Sequence, residues 1–140
     1  MSDDVVMTGQ QWRPVVAIGN HGLVLGLDAD ASWVVVDGEQ VRGVALGANL
    51  MMLLPLLEQP HRRLSAAVAA EVLLVPPWDE LLVFALGWPT EYWPGLALGW
   101  LEDGYPLAGV RNAVCVVKDD TRRSQPLRHR ALRLSRGAVC

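Results

Sequence analysis

The chain has 140 residues, of which 51% are hydrophobic and 19% are charged, so it can bury a core and does not have the composition of a disordered protein. The net charge is −3 and is distributed unevenly. Residues 1–110 carry 13 acidic and 4 basic residues, whereas residues 111–140 carry 2 acidic and 8 basic residues.

The first third of the chain has the pattern of an antiparallel β-meander. Runs rich in valine and leucine lie near Val15–Ile18, Leu23–Leu27 and Ser32–Val36. Glycine, asparagine and aspartate separate these runs, and they favour tight turns. Because the runs are apolar on both faces, we expect helices to cover the sheet.

From residue 44 the spacing of apolar residues becomes helical. One helix is predicted from Val44 to Pro60, and its uncharged run of 15 residues, 43–57, is shorter than the roughly 20 residues that span a membrane. The next helix is predicted to place one apolar face inward and to stop at Pro76. That face consists of Leu64, Val68, Val72 and Val75.

Four more short helices are predicted between residues 78 and 136. The first has Asp79 and Glu80 in its opening turn, and the second contains Pro94 in its first turn and ends at Gly104. The apolar face predicted for the second consists of Trp93, Leu96, Ala97 and Trp100. The third places Leu107, Val110, Val114 and Val117 on one side, although its valines also suit a strand. The last carries Pro126 near its start, and its inward residues are Leu127, Ala131 and Leu134.

These patterns predict an α+β fold, with an N-terminal antiparallel β-meander packed against several short C-terminal helices. We expect one domain over residues 1–140, β-rich at 12–41 and helical at 44–136. Cys115 and Cys140 are expected to be reduced thiols, because the chain opens without a secretory signal. The expected location is the cytoplasm.

The sequence contains none of the motifs that bind nucleotides, catalytic metals or a nucleophilic serine. We therefore expect no cofactor, no metal and no catalytic residue. One alternative is a small enzyme or ligand-binding protein that uses the turns around His21 and Asp28, joined by Asp30 and Asp37.

The arginine-rich segment 121–136 admits two interpretations. Its helix can lie on the acidic body of the same protein, or its arginines can contact nucleic acid, in which case Arg128, Arg130 and Arg133 would carry the binding. The acidic remainder of the chain opposes a polyanionic partner, so nucleic acid is the weaker alternative.

The segment 87–106 holds three of the six tryptophans and both tyrosines. Trp93 and Trp100 have the spacing of core residues, but Trp88 and Tyr92 flank a predicted loop, where such side chains form hot spots of protein binding. We predict these two as anchors, with acidic residues steering a basic partner. The predicted acidic residues are Asp79, Glu80, Glu91, Glu102 and Asp103.

The stretch TEYWPGLALGWLEDGYPL, followed by QPLRHRALRL, resembles the helical ending of small bacterial proteins that act as immunity partners of secreted polymorphic toxins. The resemblance covers about the last 60 residues. It implies a cytoplasmic, non-enzymatic protein that binds a toxin domain. A homodimer formed through the aromatic side chains is a further alternative.

Overall fold

The computed structural model describes residues 12–44, 49–137 and 139–140. The chain divides into two compact units, Met1–Pro77 (unit 1) and Trp78–Cys140 (unit 2). Strands followed by helices confirm the predicted α+β class. The expectation of one domain stays a prediction. Within the described ranges, no helix has both the length and the apolar character to cross a membrane.

The sheet of unit 1 is a four-stranded antiparallel meander in the order β1-β2-β3-β4. Its strands are β1 (Trp12–Ile18), β2 (Leu23–Asp28), β3 (Trp33–Asp37) and β4 (Gln40–Gly43). The three predicted strands are confirmed. The fourth strand has four residues and a single β-branched side chain, too short a pattern to stand out in the sequence.

The turns of the meander follow from local side-chain chemistry. Gly38 has a φ of +61°, which lets the two residues between β3 and β4 form a tight hairpin. At the other end of the sheet, the Asp28 carboxylate accepts hydrogen bonds of 2.9 Å from the backbone N–H groups of Asp30 and Ser32. These bonds fix the turn between β2 and β3.

A 3₁₀ helix at Leu50–Glu58 follows the sheet, and β1 contacts it. Its buried residues are Leu50, Leu53, Leu54, Leu56 and Leu57. A repeat of three residues per turn aligns leucines at every third position, so this tight helix buries most of its apolar side chains. The predicted helix is confirmed over this range, while residues 45–48 lie outside the described residues.

Helix α1 (His61–Glu71) also contacts β1, and it buries Leu64 and Val68 as predicted. The prediction that the helix continues through Val75 is wrong. Val72 is extended and Val75 is 73% exposed. Pro76 disfavours helical backbone at the residue before it, and β-branched valine adds to that preference.

Unit 2 consists of four helices, as predicted: α2 (Trp78–Leu86), α3 (Tyr92–Glu102), α4 (Arg111–Asp119) and α5 (Gln125–Ser135). Helices α2 and α3 form an antiparallel hairpin. The ring of Trp78, at the start of α2, lies 5.3 Å from the ring of Trp100, near the end of α3. The start of α2 and the end of α3 therefore lie together, and the connecting residues lie at the opposite end.

The helix ends in unit 2 carry the predicted signals. Gly104 has a φ of +112°, and the N–H of Tyr105 donates to the carbonyl of Trp100, which closes α3. The Ser124 hydroxyl accepts from the N–H of Leu127 at 3.3 Å and caps α5. The buried face of α5 differs slightly from prediction, because Ser135 is buried while Leu134 is half-buried.

The two cysteines form a disulfide bond, which corrects the expectation of two reduced thiols. Cys115 lies in the middle of α4, and Cys140 follows α5 by several residues. Because α4 and α5 pack against each other, the residues after α5 return to α4, and the two Cα atoms are 5.8 Å apart. A separation of 25 residues gives no sequence signal for this pairing.

Candidate protein-binding surface

Residues 87–93, which are the connection between α2 and α3 and the first two residues of α3, present aromatic side chains at one end of the helical hairpin, and we call them the aromatic segment. Tyr92 is 56% exposed, whereas Trp88 and Trp93 are half-buried. Trp88 packs on Phe84 at a centroid distance of 5.7 Å, and Tyr92 meets the ring of Trp93 edge to face at 4.8 Å. The exposed tyrosine is thus supported by a neighbouring ring.

Arg123 holds the aromatic segment in place. Its guanidinium donates to the carbonyls of Leu86 at 3.1 Å, of Thr90 at 2.9 Å and of Pro89 at 3.5 Å. The side chain of Arg123 is only 10% exposed. One side chain from the loop between α4 and α5 therefore satisfies several carbonyls where α2 ends and the segment begins.

Glu91 makes a second link between the same two loops. Its carboxylate accepts a hydrogen bond of 2.7 Å from the N–H of Ser124. The hydrogen bonds from the side chain and the backbone of Ser124, with a smaller contribution from nearby Arg123, lower the pKa of Glu91. The predicted steering residue Glu91 thus serves to position the segment.

Asp79, Glu80, Glu102 and Asp103 lie at the opposite end of the hairpin, where α2 begins and α3 ends. Asp79 accepts a hydrogen bond of 2.5 Å from the hydroxyl of Tyr105. Its carboxylate also packs so closely on Gly109 that a Cβ at that position would overlap it. The structure therefore divides the predicted surface into an aromatic end and an acidic end.

Glu102 is paired within unit 2. Its two carboxylate oxygens accept bonds of 3.0 and 2.8 Å from Arg130, which also donates to the carbonyl of Gly95 at 2.9 Å. The hydrogen bond to Glu102 raises the pKa of Arg130. Basic helix α5 thus contacts α3 through the pair of Arg130 with Glu102, as the self-complementary interpretation of the charge asymmetry predicts.

The two ends of the hairpin are too far apart to act as one electrostatic site. Helix α3 has 11 residues and is about 16 Å long at 1.5 Å per residue. The Debye length at physiological ionic strength is about 8 Å. Salt therefore screens most of the effect of Asp79, Glu80 and Asp103 on a partner bound at the aromatic segment.

The arginines predicted for nucleic-acid contact do not form one exposed set. Arg130 binds Glu102 and Gly95, and Arg128 donates to the carbonyl of Lys118 at 3.3 Å. Arg133 is exposed. Phosphate binding through all three would require Arg128 and Arg130 to give up bonds within unit 2.

The residues proposed for an enzyme site are divided between the two ends of the sheet. Leu23 pairs with Asp37, so the turn that contains His21 lies at the same end as Asp37. Asp28 and Asp30 lie at the other end of β2, which has six residues and spans about 17 Å. The predicted grouping of His21 with Asp28 is therefore wrong.

Over the described part of the chain, no three histidine, cysteine or acidic side chains come together as metal ligands would.

Sequence reasoning missed Arg123, Ser124 and Tyr105 as the residues that organise the two ends of the hairpin. Ser124 had a usable signal, because serine followed by a helix with proline near its start is a common cap. Arg123 belongs to the arginine-rich segment 121–136, and the sequence of that segment does not indicate which arginine side chains are buried. Its role depends on a contact across more than 30 residues.

We expect Tyr105 to ionise only at unusually high pH. Burial is the main cause of its raised pKa, followed by the hydrogen bond to Asp79 and the charges of Asp79 and Glu80. The folded state retains the Tyr105 proton to higher pH than the unfolded state does. Protonated Tyr105 therefore stabilises the fold fully below the ordinary tyrosine pKa of about 10, and this contribution is lost as the pH rises through the pKa of Tyr105 in the folded protein. Ultraviolet titration of the Tyr92→Phe variant isolates Tyr105.

Asp79→Asn in the same background should move that titration to lower pH, because it removes one of the two negative charges. A Tyr105 that titrates near its ordinary pKa in the Tyr92→Phe protein would contradict both its burial and its hydrogen bond to Asp79.

Unit 2 is thus a four-helix unit that holds an exposed tyrosine on a positioned segment. No family model matches the chain, and no curated protein or solved structure is similar to it.

Proposed function

We propose that the protein binds another protein through the aromatic segment, with Tyr92 and Trp88 as anchors. The observation that carries the proposal is Tyr92, an exposed ring on a segment that Arg123 and Glu91 hold in place. Such a segment has less conformational freedom to lose on binding, so more of its contact energy appears as affinity. Tyrosine and tryptophan are the residues that most often dominate binding energy.

In this proposal the acidic end has a secondary role. Asp79, Glu80 and Asp103 attract a basic partner during encounter, chiefly at low ionic strength. Glu91 and Glu102 act by positioning the aromatic segment and α5. The partner is a toxin domain if the protein acts as an immunity protein, as the resemblance of its last 60 residues implies.

A cytoplasmic location is part of the proposal, and it has a consequence for the cysteines. The cytosol keeps most protein thiols reduced. In that location the disulfide between Cys115 and Cys140 would be in contact with small reducing thiols that can attack it.

We expect Tyr92→Ala to weaken the complex by about 2 kcal/mol, roughly 30-fold in Kd, because it removes a central aromatic anchor. The partner is first isolated from the native host with the wild-type protein, and Kd is then measured by calorimetry with both proteins purified.

Leu132→Ala is the matched control, since Leu132 is 41% exposed and lies on α5, outside the aromatic segment. Equal Kd values for wild type and Tyr92→Ala would exclude the aromatic segment as the contact surface. Conversion of a substrate by this protein without the partner would instead indicate an enzymatic role.

A further inference from the structure

We propose that the Cys115–Cys140 disulfide is a thiol-exchange site at which a small thiol forms a mixed disulfide with Cys140. This inference does not depend on the proposed binding function. It rests on the unequal exposure of the two bonded cysteines and on a groove that surrounds them.

The two cysteines differ in access from solvent. Cys115 is 6% exposed on the buried side of α4, next to buried Val114 and near Val117. Cys140 is exposed. Because an attacking thiolate must approach a sulfur directly, Cys140 is the sulfur that exchange favours.

The groove beside the disulfide has a volume of about 550 Å³ and is lined by both cysteines. The groove is shallow and largely open to solvent, so a small thiol can approach the disulfide there. Exposed Val116 forms part of its wall, Asn112 supplies an amide, and Asp119 and Asp120 supply carboxylates, of which Asp120 is paired with Arg122. Such groups suit a small thiol that carries an amino group and an aliphatic part.

The exchange step is balanced without an external oxidant. The thiolate attacks the Sγ of Cys140, the bond between the two cysteine sulfurs breaks, and its electron pair passes to the Sγ of Cys115, which takes a proton from water. Cys140 then carries the mixed disulfide. Cys115 is then the thiol that leaves, and it stays beside the mixed disulfide on the buried side of α4.

Exchange uncouples the residues after α5 from the middle of α4. The disulfide is the covalent link between these two parts of unit 2.

The test uses glutathione as the probe on the full-length folded protein. The mixed disulfide formed by the wild type is located by peptide mass spectrometry. Two matched variants, Cys115→Ser and Cys140→Ser, each retain one cysteine and are reacted with glutathione disulfide. Under native conditions we expect Cys115→Ser to react at least about tenfold faster than Cys140→Ser, because its remaining thiol is the exposed one.

In denaturant the two rates should converge, which would show that the difference comes from the fold. Equal native rates, an adduct on Cys115 of the wild type, or no adduct without denaturant would each overturn the proposal. If circular dichroism shows that a variant does not fold, the location of the wild-type adduct decides the question.

Discussion

Arg123→Ala is expected to lower the free energy of unfolding of unit 2 by about 3 kcal/mol, because it removes several hydrogen bonds from a charged group, each of which contributes roughly 1.5–3 kcal/mol. The contacts to Leu86 and Thr90 carry most of this effect. The contact to Pro89, at 3.5 Å, is weaker. Denaturant unfolding, followed by hydrogen exchange of amides in residues 78–140, measures the loss.

Arg122→Ala is the matched control for this prediction. Arg122 is the neighbouring arginine in the same loop, but its side chain is 88% exposed and pairs with Asp120 at the surface. Exposed ion pairs contribute little to stability, so its unfolding midpoint should stay close to that of the wild type. Equal destabilisation by the two substitutions would show that Arg123 does not position the aromatic segment.

Loss of the disulfide is expected to destabilise unit 2 by about 3.5 kcal/mol. The bond closes a loop across 25 residues of sequence, and a cross-link of that length restricts the unfolded chain by about this amount. Denaturant unfolding of the wild type with and without a dithiol reductant measures the difference. Unfolding should begin at lower denaturant concentration in the reduced protein.

A variant with both Cys115→Ala and Cys140→Ala separates this effect from any other action of the reductant. The double variant should unfold like the reduced wild type and should not respond to reductant. A wild type that unfolds at the same denaturant concentration in both conditions would show that the bond is absent in solution or does not stabilise unit 2.

Local features of the fold could be predicted from the sequence because they depend on neighbouring residues. Glycine and aspartate turns separate the three predicted strands. The acidic first turn of α2, Pro94 in α3 and Gly104 after it are short-range signals, and the structure confirms them. The wrong prediction at Val72 and Val75 arose where valines at helical spacing preceded a proline, and the local backbone preference prevailed.

The contacts that shape the candidate site could not be predicted, because they join residues far apart in the chain. Nothing in the sequence distinguishes Arg123, which is nearly buried, from Arg122, which is exposed. The separation of Trp88 and Tyr92 from Asp79 and Asp103 follows from the antiparallel arrangement of α2 and α3. The sequence-based prediction grouped these aromatic and acidic residues because they are close in sequence. It therefore treated the two ends of the hairpin as one surface.

Site-specific photocrosslinking tests the proposed binding surface most directly. A photoreactive phenylalanine is placed at position 92 in one protein and at position 132 in another, since Leu132 is also exposed, at 41%, but lies on α5. We predict that position 92 crosslinks one partner in host cells, that position 132 does not, and that the additional Trp88→Ala substitution reduces the crosslink at 92. A crosslink from position 132 alone, or one from position 92 that Trp88→Ala leaves unchanged, would contradict the assignment of the aromatic segment as the binding surface.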